Sequence, residues 1–215
     1  MVEQGSHNPF VGGSIPPSAT SLIKPALIIG QAPRWRNDVA AVKELFGLDR
    51  FDVIAVNGAG WNYEGDIDYW ISAHGGKLVN WMPRRDAAGG NSDYIAAGNF
   101  APHEDNGPAI PLQRPNGGGS SGMFAVLFAL EMGYRRCVLA GCPMSGNGRE
   151  YYGDDDEGVM IDATTIDPQP EIPNGFAAYR EGWKRQQREF APHVRSMSGW
   201  TKNTFGAPTL AWLRS

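Results

Sequence analysis

The fold is decided by residues 26–58, which read ALIIGQAPRWRNDVAAVKELFGLDRFDVIAVNG. Residues 26–29 form a short apolar run that ends at Gly30, a pattern typical of a strand buried on both faces. Residues 38–46 place apolar side chains at helical spacing and stop before a glycine, and residues 52–56 form a second apolar run. A strand, a helix and a strand joined by short connections indicate a βαβ unit and therefore a parallel sheet.

The same alternation continues along the rest of the chain. It predicts strands at residues 68–73, 93–97, 136–140 and 194–197, helices at residues 77–88, 120–132 and 176–190, and a short C-terminal helix capped by Thr201. Two long polar segments, 98–119 and 144–174, are predicted to be loops at the carboxyl ends of strands, where they would close over a ligand or dock another macromolecule.

The domain organisation follows from the change of pattern at Pro25. Residues 1–24 are rich in Gly, Ser, Pro and Asn and predict a flexible N-terminal arm. Residues 25–215 predict a single α/β domain with a mostly parallel sheet, helices on both faces and the two long loops at the strand carboxyl ends.

Composition excludes several classes of protein. A chain of 215 residues with 41% hydrophobic residues can build one compact core. No apolar run approaches the ~20 residues that cross a bilayer, and no secretory signal is visible, so we expect no membrane partner. Two cysteines cannot supply a disulfide framework, which favours a reducing, cytoplasmic compartment. The net charge of −4 argues against a broad footprint on duplex nucleic acid, although paired arginines leave a local patch open.

The predicted strand ends define a candidate binding site. Ligands of open parallel sheets bind outside the carboxyl ends of the strands. Small, amide and hydroxyl residues occupy these positions and the start of the following helix; the candidates for ligand binding are Gly30, Gln31, Ala32, Asn57, Ser120, Ser121, Gly122 and Gly141. Such residues suit close backbone approach to a phosphate or a ribose, together with directional hydrogen bonds.

Each of these features also has a plainer interpretation. Gly30 could serve an ordinary turn, and Asn57 is either a turn former or a ligand amide. Residues 117–122 either cradle an anion at a helix start or combine a flexible linker with an ordinary N-cap. The turn after the first strand is not a GxGxxG sequence, which argues against an ordinary dinucleotide site.

The segment from Ser121-Gly122 through Ala125, Ala129 and Gly133-Tyr134 to the strand at residues 137–141 resembles the nucleotide-binding half of bacterial sialyltransferases. It is also similar to the Rossmann-like group that includes archaeal-type hydroxymethylpterin pyrophosphokinases. Trp70-Ile71-Ser72-Ala73-His74 resembles an element of small phage and prophage proteins of unknown role. The resemblance covers residues 26–57 and 120–141 best.

This resemblance implies a Rossmann-like domain that binds a cytidine nucleotide or a nucleotide-sugar. By position, Gly30, Gln31, Asn57 and Ser121-Gly122 would hold the nucleotide, and Tyr151 and Tyr152 would hold the leaving phosphate. The chain departs from the sialyltransferases at Pro143, which stands where an acidic residue is expected. Residues 166–176 also lack the histidine of that family, so the resemblance supports a nucleotide pocket more than sialyl transfer itself.

His74 and Asp66 are the candidate catalytic residues. His74 follows a predicted strand and is the best-placed general base, although a polar loop histidine would look the same. Asp66, with Asp68, and the run 154–156 could each hold Mg²⁺ on a diphosphate, or be a turn and a solvated loop. Cys142 is either a nucleophile or a buried thiol.

Taken together, the sequence predicts a glycosyltransferase-like transferase that binds a nucleotide or nucleotide-sugar. No cofactor is required on this interpretation, and Mg²⁺ is optional. The acceptor is open; a nucleic-acid acceptor is possible, but the net charge does not support it. The alternatives are a non-catalytic nucleotide-binding module and a phage accessory or interaction protein.

Overall fold

The computed structural model describes residues 24–32, 35–100, 106–112, 120–145, 150–152, 160–162 and 176–215. Seven strands form one parallel sheet: β1 (Ala26–Ile29), β2 (Asp52–Val56), β3 (Tyr69–Ser72), β4 (Ile95–Gly98), β5 (Ile110–Pro111), β6 (Cys137–Ala140) and β9 (Val194–Ser196). A separate antiparallel pair consists of β7 (Glu150–Tyr152) and β8 (Met160–Asp162).

Eight α-helices connect the strands. They are α1 (Trp35–Phe46), α2 (Ala59–Asn62), α3 (Gly75–Ala87), α4 (Ser121–Glu131), α5 (Phe176–Arg185), α6 (Gln187–Phe190), α7 (Gly199–Phe205) and α8 (Leu210–Arg214), counted within the described residues. None of these described helices is long and apolar enough to cross a membrane.

The central strands form because their sequences are apolar on both faces. Every residue of β1 is fully buried, and Ile28 pairs in register with Ile54 of β2 on one side and Leu139 of β6 on the other. Such runs are typical of strands covered by helices on both faces. The predicted bounds of β1 and β2 are confirmed, as is the α/β class.

Strand order places a topological switch point in the middle of the sheet. The order is β5-β4-β3-β2-β1-β6-β9, so the chain builds outward from β1 in one direction and then returns to the other side of β1 with β6. Loops leaving β1 and β6 diverge at this point, which is where ligands of such sheets bind.

Two layers of helices cover the sheet and give it two apolar cores. One core packs Leu27 and Ile29 of β1 against α1, α2 and α3, with Trp35, Trp70 and Trp81 as its largest members. The other packs the opposite face against α4, α5, α6 and α7. The helix α4 is buried nearly all round, because it lies between the sheet and the last helices.

Several predicted elements were wrong in detail. The segment 98–119 was expected to be a loop, but Ile110 and Pro111 pair with β4 as β5. The segment 144–174 contains the β7–β8 pair. The helix at 176–190 is divided at Gln186 into α5 and α6.

Local capping also differs from expectation at the C-terminus. Thr201 lies inside α7, whose N-cap is Ser198, and Thr209 caps α8 through a hydrogen bond from the Trp212 N–H. The Thr201 hydroxyl instead donates to the Cys142 carbonyl oxygen over 2.8 Å, so a buried bond to the segment after β6 replaces a cap. The predicted arm lies outside the described residues except for Lys24.

Candidate functional site

The carboxyl ends of β1, β2 and β3 bring the predicted ligand residues into one series of contacts. The side-chain amide of Gln31, the second residue after β1, lies against Gly58, which follows β2. The neighbouring Asn57 has φ +53° and accepts a 2.9 Å hydrogen bond from Ser72 Oγ through its own Oδ1. The positive φ is the conformation that asparagine tolerates in turns, so the turn-forming interpretation accounts for this residue at least in part.

The series closes through α4 and β6. The Ala73 N–H, after β3, donates to Ser121 Oγ over 3.4 Å. A Cβ built on Gly122 would lie 3.3 Å from Cys142 Sγ, and one built on Gly30 would lie 2.5 Å from the same sulfur. The contacts therefore form a closed ring that passes from β1 through the residues after β2 and β3, the start of α4 and the residues after β6, and back to β1. They place Gly30, Asn57 and Ser121 at the same edge of the sheet.

The switch point itself is closed by the close approach of two glycines. Gly141 has φ +67°, and a Cβ there would collide with the Gly30 carbonyl oxygen and lie 2.5 Å from Trp35 Cβ. The Gly141 carbonyl oxygen accepts a 3.1 Å bond from the Ala32 N–H. Close packing of protein against protein thus accounts for glycine at positions 30 and 141.

Asp38 is a functional candidate that the sequence reasoning missed. It stands in the first turn of α1, and its Oδ2 accepts bonds from the Gly141 N–H at 2.8 Å and from Ser198 Oγ at 2.6 Å. A carboxylate in the first turn offsets the positive end of a helix dipole. The start of α1 is therefore already matched with a negative charge, and a phosphate there would be repelled.

The start of α4 has the opposite character. Its first turn contains no acidic residue, and its N-cap Ser120 accepts a 3.4 Å bond from the Met123 N–H. Trp183 Nε1 donates to the same hydroxyl oxygen at 3.2 Å, which fixes the cap against α5. Of α1 and α4, which both begin at this edge, α4 is the helix without a carboxylate in its first turn.

The two predicted catalytic residues are not brought together. His74 is exposed at the carboxyl edge, where it occupies the N-cap position of α3. Asp66 precedes β3, so it lies toward the amino end of that strand, at the opposite edge of the sheet. Burial first, and then the Asp66 carboxylate, raise the pKa of Tyr63, which is consistent with a structural setting for this aspartate.

The thiol of Cys142 is buried and has low reactivity. Burial raises the pKa of its thiol to about 12, and the Asp38 carboxylate adds to the increase. A thiol of this kind is protonated at neutral pH and is a poor nucleophile. Its role in the structure is to pack against Gly30 and Gly122, so the buried-thiol interpretation fits best.

A buried arginine holds the connection between β2 and β3. Arg85 is 1% exposed, and Nη1 donates to the carbonyl oxygens of Gly60 and Tyr63 at 2.7 and 3.1 Å. Nη2 donates to the Gly65 carbonyl oxygen at 2.9 Å and to Asn91 Oδ1, and Nε donates to the Asn91 carbonyl oxygen at 3.1 Å. Burial lowers the pKa of Arg85. Leu78, Trp81 and Arg85 recur at helical spacing on one face of α3, and this pattern could have predicted from the sequence that Arg85 is buried.

Other predicted features lie partly or wholly outside the described residues. Tyr151 and Tyr152 belong to β7, but their side chains are outside what the structure describes, as are residues 117–119 and 154–156. Within the described parts of the chain, no group of three or more His, Cys, Asp or Glu residues could hold a metal ion.

A separate groove lies away from these residues. Its volume is about 360 Å³, and it runs between the end of α3 and the strands β4 and β5, where Tyr94, Ile95 and Ile110 line it. Ile95 and Ile110 are exposed apolar side chains at the edge of the sheet. None of the predicted ligand residues reaches this groove.

The fold defines the class of protein: a Rossmann-like α/β domain with a seven-stranded parallel sheet. Its candidate site is the ring of contacts at the carboxyl edge of the sheet, which includes the start of α4. Comparison with protein-family models, with curated proteins and with solved structures finds no match to this chain.

Proposed function

We propose that the protein binds a nucleotide or nucleotide-sugar at the carboxyl edge of its sheet and acts as a glycosyltransferase-like transferase. The observation that carries the proposal is the ring of contacts joining Gly30, Asn57 and Ser121. These residues come from three different parts of the chain, and binding a multi-part ligand requires such convergence.

The phosphate is assigned to the start of α4 because of charge. Asp38 already neutralises the start of α1, whereas Ser120, Ser121 and Gly122 open α4 without an acidic residue. The helix dipole at this start favours a negative charge. Gln31 and Asn57 lie along the ring from this point and would contact the nucleoside.

His74 is the proposed general base. In the transfer step, the acceptor hydroxyl attacks the anomeric carbon of the donor sugar and gives its proton to His74. The bond from that carbon to the phosphate oxygen breaks, and the nucleotide leaves with the electron pair. Tyr151 and Tyr152 are proposed to steady the leaving phosphate. The reaction needs no cofactor, and Mg²⁺ would act only on a diphosphate.

A substitution at the N-cap of α4 tests the binding site. Ser120→Asp keeps a capping oxygen but places a negative charge where the phosphate is proposed to bind, and Ser120→Asn is the neutral control. Thermal shift is measured with cytidine, uridine, guanosine and adenosine mono- and diphosphates, with and without Mg²⁺. A ligand at 100 times its Kd stabilises the native state by about 2.7 kcal/mol. We expect one nucleotide to stabilise the wild type and Ser120→Asn, but not Ser120→Asp. Equal shifts in all three proteins would refute this phosphate site.

A non-catalytic nucleotide-binding module is the second candidate. It is favoured by the position of Asp66, which lies at the other edge of the sheet from His74. Nucleotide release from a nucleotide-sugar distinguishes the two functions. Binding that survives His74→Ala while release is lost supports the transferase, and binding without release by the wild type supports the module.

A further inference from the structure

The backbone of Asn57 is fixed at the carboxyl edge of the sheet. Its N–H donates to the Ile71 carbonyl oxygen at 3.1 Å, and its carbonyl oxygen accepts the Gly60 N–H at 3.1 Å and the Trp70 Nε1–H at 2.6 Å. Both backbone polar groups are therefore used within the protein, and the carbonyl oxygen has filled both of its lone pairs. The side-chain carboxamide is the part of Asn57 that remains for a ligand.

The oxygen of this carboxamide is occupied as well. Ser72 is fully buried, and its Oγ accepts the His74 N–H at 2.9 Å. The Ser72 hydroxyl has one proton to donate, and Asn57 Oδ1 at 2.9 Å is nearer than the His74 carbonyl oxygen at 3.1 Å. Ser72 therefore orients the carboxamide so that its oxygen faces the buried hydroxyl and its nitrogen, Nδ2, faces away.

Asn57 Nδ2 is accessible from solvent. Asn57 is partly exposed, and Nδ2 has no hydrogen-bond partner among the residues that the structure describes, but it is not one of their enclosed unpartnered atoms. The neighbouring His74 is exposed too. A ligand at the carboxyl edge can therefore reach this nitrogen without entering an enclosed cavity.

A fixed amide nitrogen selects ligands by the polarity of their hydrogen bonds. It supplies donors and no acceptor, so its partner must be an acceptor such as a carbonyl oxygen or an unprotonated ring nitrogen. An amino group at the same place would set donor against donor and leave both unpaired. The turn explains the positive φ of Asn57, but aspartate also tolerates that conformation, so the turn alone does not select an amide.

We propose that Asn57 Nδ2 is a specificity-determining donor that binds an acceptor atom, a carbonyl oxygen or a ring nitrogen, on the base of the nucleoside. Ser72 is its positioning residue, because the serine hydroxyl fixes which end of the carboxamide faces the ligand. The inference deepens the function proposed above and rests on it, since it adds the polarity of the contact that Asn57 makes.

The orientation of the carboxamide is tested first in the ligand-free protein. The full chain is labelled with ¹⁵N-asparagine, and the Asn57 side-chain signal is assigned by its loss in Asn57→Asp. We expect both Nδ2 protons to exchange rapidly with water, because they face solvent. A slowly exchanging Nδ2 proton would mean that the nitrogen, rather than the oxygen, bonds to Ser72, and this result would overturn the proposal.

The contact itself is tested with uridine, cytidine, guanosine and adenosine, which carry no phosphate. We expect the nucleoside that binds to move the Asn57 Nδ2 signal downfield, and Asn57→Asp to bind it at least about tenfold more weakly. Asn57→Asp keeps an oxygen for Ser72 and suits the turn, but it removes the donor. The control is Asn99→Asp, which adds the same charge directly after β4 at the same edge and should bind as the wild type does. Equal affinities of the two variants would overturn the contact.

A pair of serine variants tests the positioning role. Ser72 and Ser196 are both fully buried at the carboxyl end of a strand, and each hydroxyl lies near the carbonyl oxygen two residues later, at 3.1 Å from His74 and 3.2 Å from Ser198. We expect Ser72→Ala to bring the affinities for the four nucleosides closer together, because the carboxamide is free to turn, and Ser196→Ala to leave their ratios unchanged. Ratios that stay unchanged in Ser72→Ala would overturn this role.

These results also separate the inference from the proposed function. If no nucleoside and no nucleotide binds the wild type, the proposed function fails and the inference fails with it. If a nucleoside binds the wild type and Asn57→Asp equally well, the nucleotide site stands and only the inference is overturned.

Discussion

Asp38 and Gly141 are joined by a 2.8 Å hydrogen bond from the glycine N–H to the carboxylate Oδ2, although they are 103 positions apart in the chain. The same oxygen accepts the Ser198 hydroxyl at 2.6 Å. One side chain of α1 therefore ties the end of β6 to the connection after β9. This arrangement fixes the loops on both sides of the switch point relative to each other.

We expect Asp38→Ala to destabilise the protein more than Ser198→Ala. Removing the carboxylate leaves the buried Gly141 N–H without a partner, at a cost of about 1–3 kcal/mol, whereas a typical single hydrogen bond contributes about 0.5–1.5 kcal/mol. Urea denaturation of both variants and of the double variant measures the difference and the coupling. A Ser198→Ala variant as unstable as Asp38→Ala would contradict this account.

The neighbouring arginines of α3 provide a second, internally controlled prediction. Arg85→Ala leaves the carbonyl oxygens of Gly60, Tyr63 and Gly65 without their donor, so we expect a loss of about 3–5 kcal/mol, the range for a broken buried polar network. Arg84 is exposed and stacks over Trp61, an interaction of about 0.5–1 kcal/mol. Chemical denaturation of the two alanine variants makes the comparison, and equal losses would mean that the buried contacts contribute little.

Glycine positions around Cys142 should differ in their tolerance of a methyl group. In Gly30→Ala the new Cβ would lie 2.5 Å from both the Cys142 sulfur and the Gly141 carbonyl oxygen, so we expect a loss of about 1–3 kcal/mol from overpacking. In Gly122→Ala the nearest atom is at 3.3 Å, and alanine gains helix propensity of about 1 kcal/mol. Gly122→Ala is therefore expected to be close to neutral in thermal melts; a larger loss for it than for Gly30→Ala would reverse the order.

The two cysteines give a prediction about pH. Burial raises the pKa of Cys137 and of Cys142 from the ordinary value of 9.0 to about 12. A thiol whose pKa is raised in the folded state contributes stability below the unfolded pKa, and that stability is lost as pH rises from about 9 toward 12. We therefore expect unfolding midpoints to fall over this range more steeply in the wild type than in a Cys137→Ala, Cys142→Ala double variant.

Labelling with a thiol reagent at pH 8 checks the same burial. Native protein should react far more slowly than unfolded protein, because the thiolate is both scarce and enclosed. Fast reaction of Cys142 in the native protein would restore it as a candidate nucleophile.

The sequence was sufficient to predict the strands and helices whose local conformational preference agrees with their packing in the fold. Continuous apolar runs predicted β1 and β2 to the residue, and the Ser120 cap and Gly133 turn bracketed α4. It failed where tertiary contacts decide the structure. β5 has only two residues and exists because β4 offers a partner, and no periodicity can reveal such a strand.

The sequence correctly predicted where the candidate site residues lie in the fold, but it did not predict which charged groups surround them. The rule that strand ends converge placed Gln31, Asn57 and Ser121 at one edge. Asp38 looked like an ordinary first-turn residue of a helix, because its bond to Gly141 exists only after folding. Asp66 and His74 were separate candidates for catalysis, and the direction of β3 places them at opposite edges of the sheet.

The ends of the sheet have a consequence for self-association. On one side, β5 terminates in Pro111, which has no N–H to offer to an incoming strand. On the other side, the outward N–H of Ser196 in β9 already donates to the Gly206 carbonyl oxygen at 3.0 Å. Within the described residues, each edge strand therefore has one backbone position that cannot donate a hydrogen bond to an added strand, which disfavours edge-to-edge pairing with another chain at these two positions.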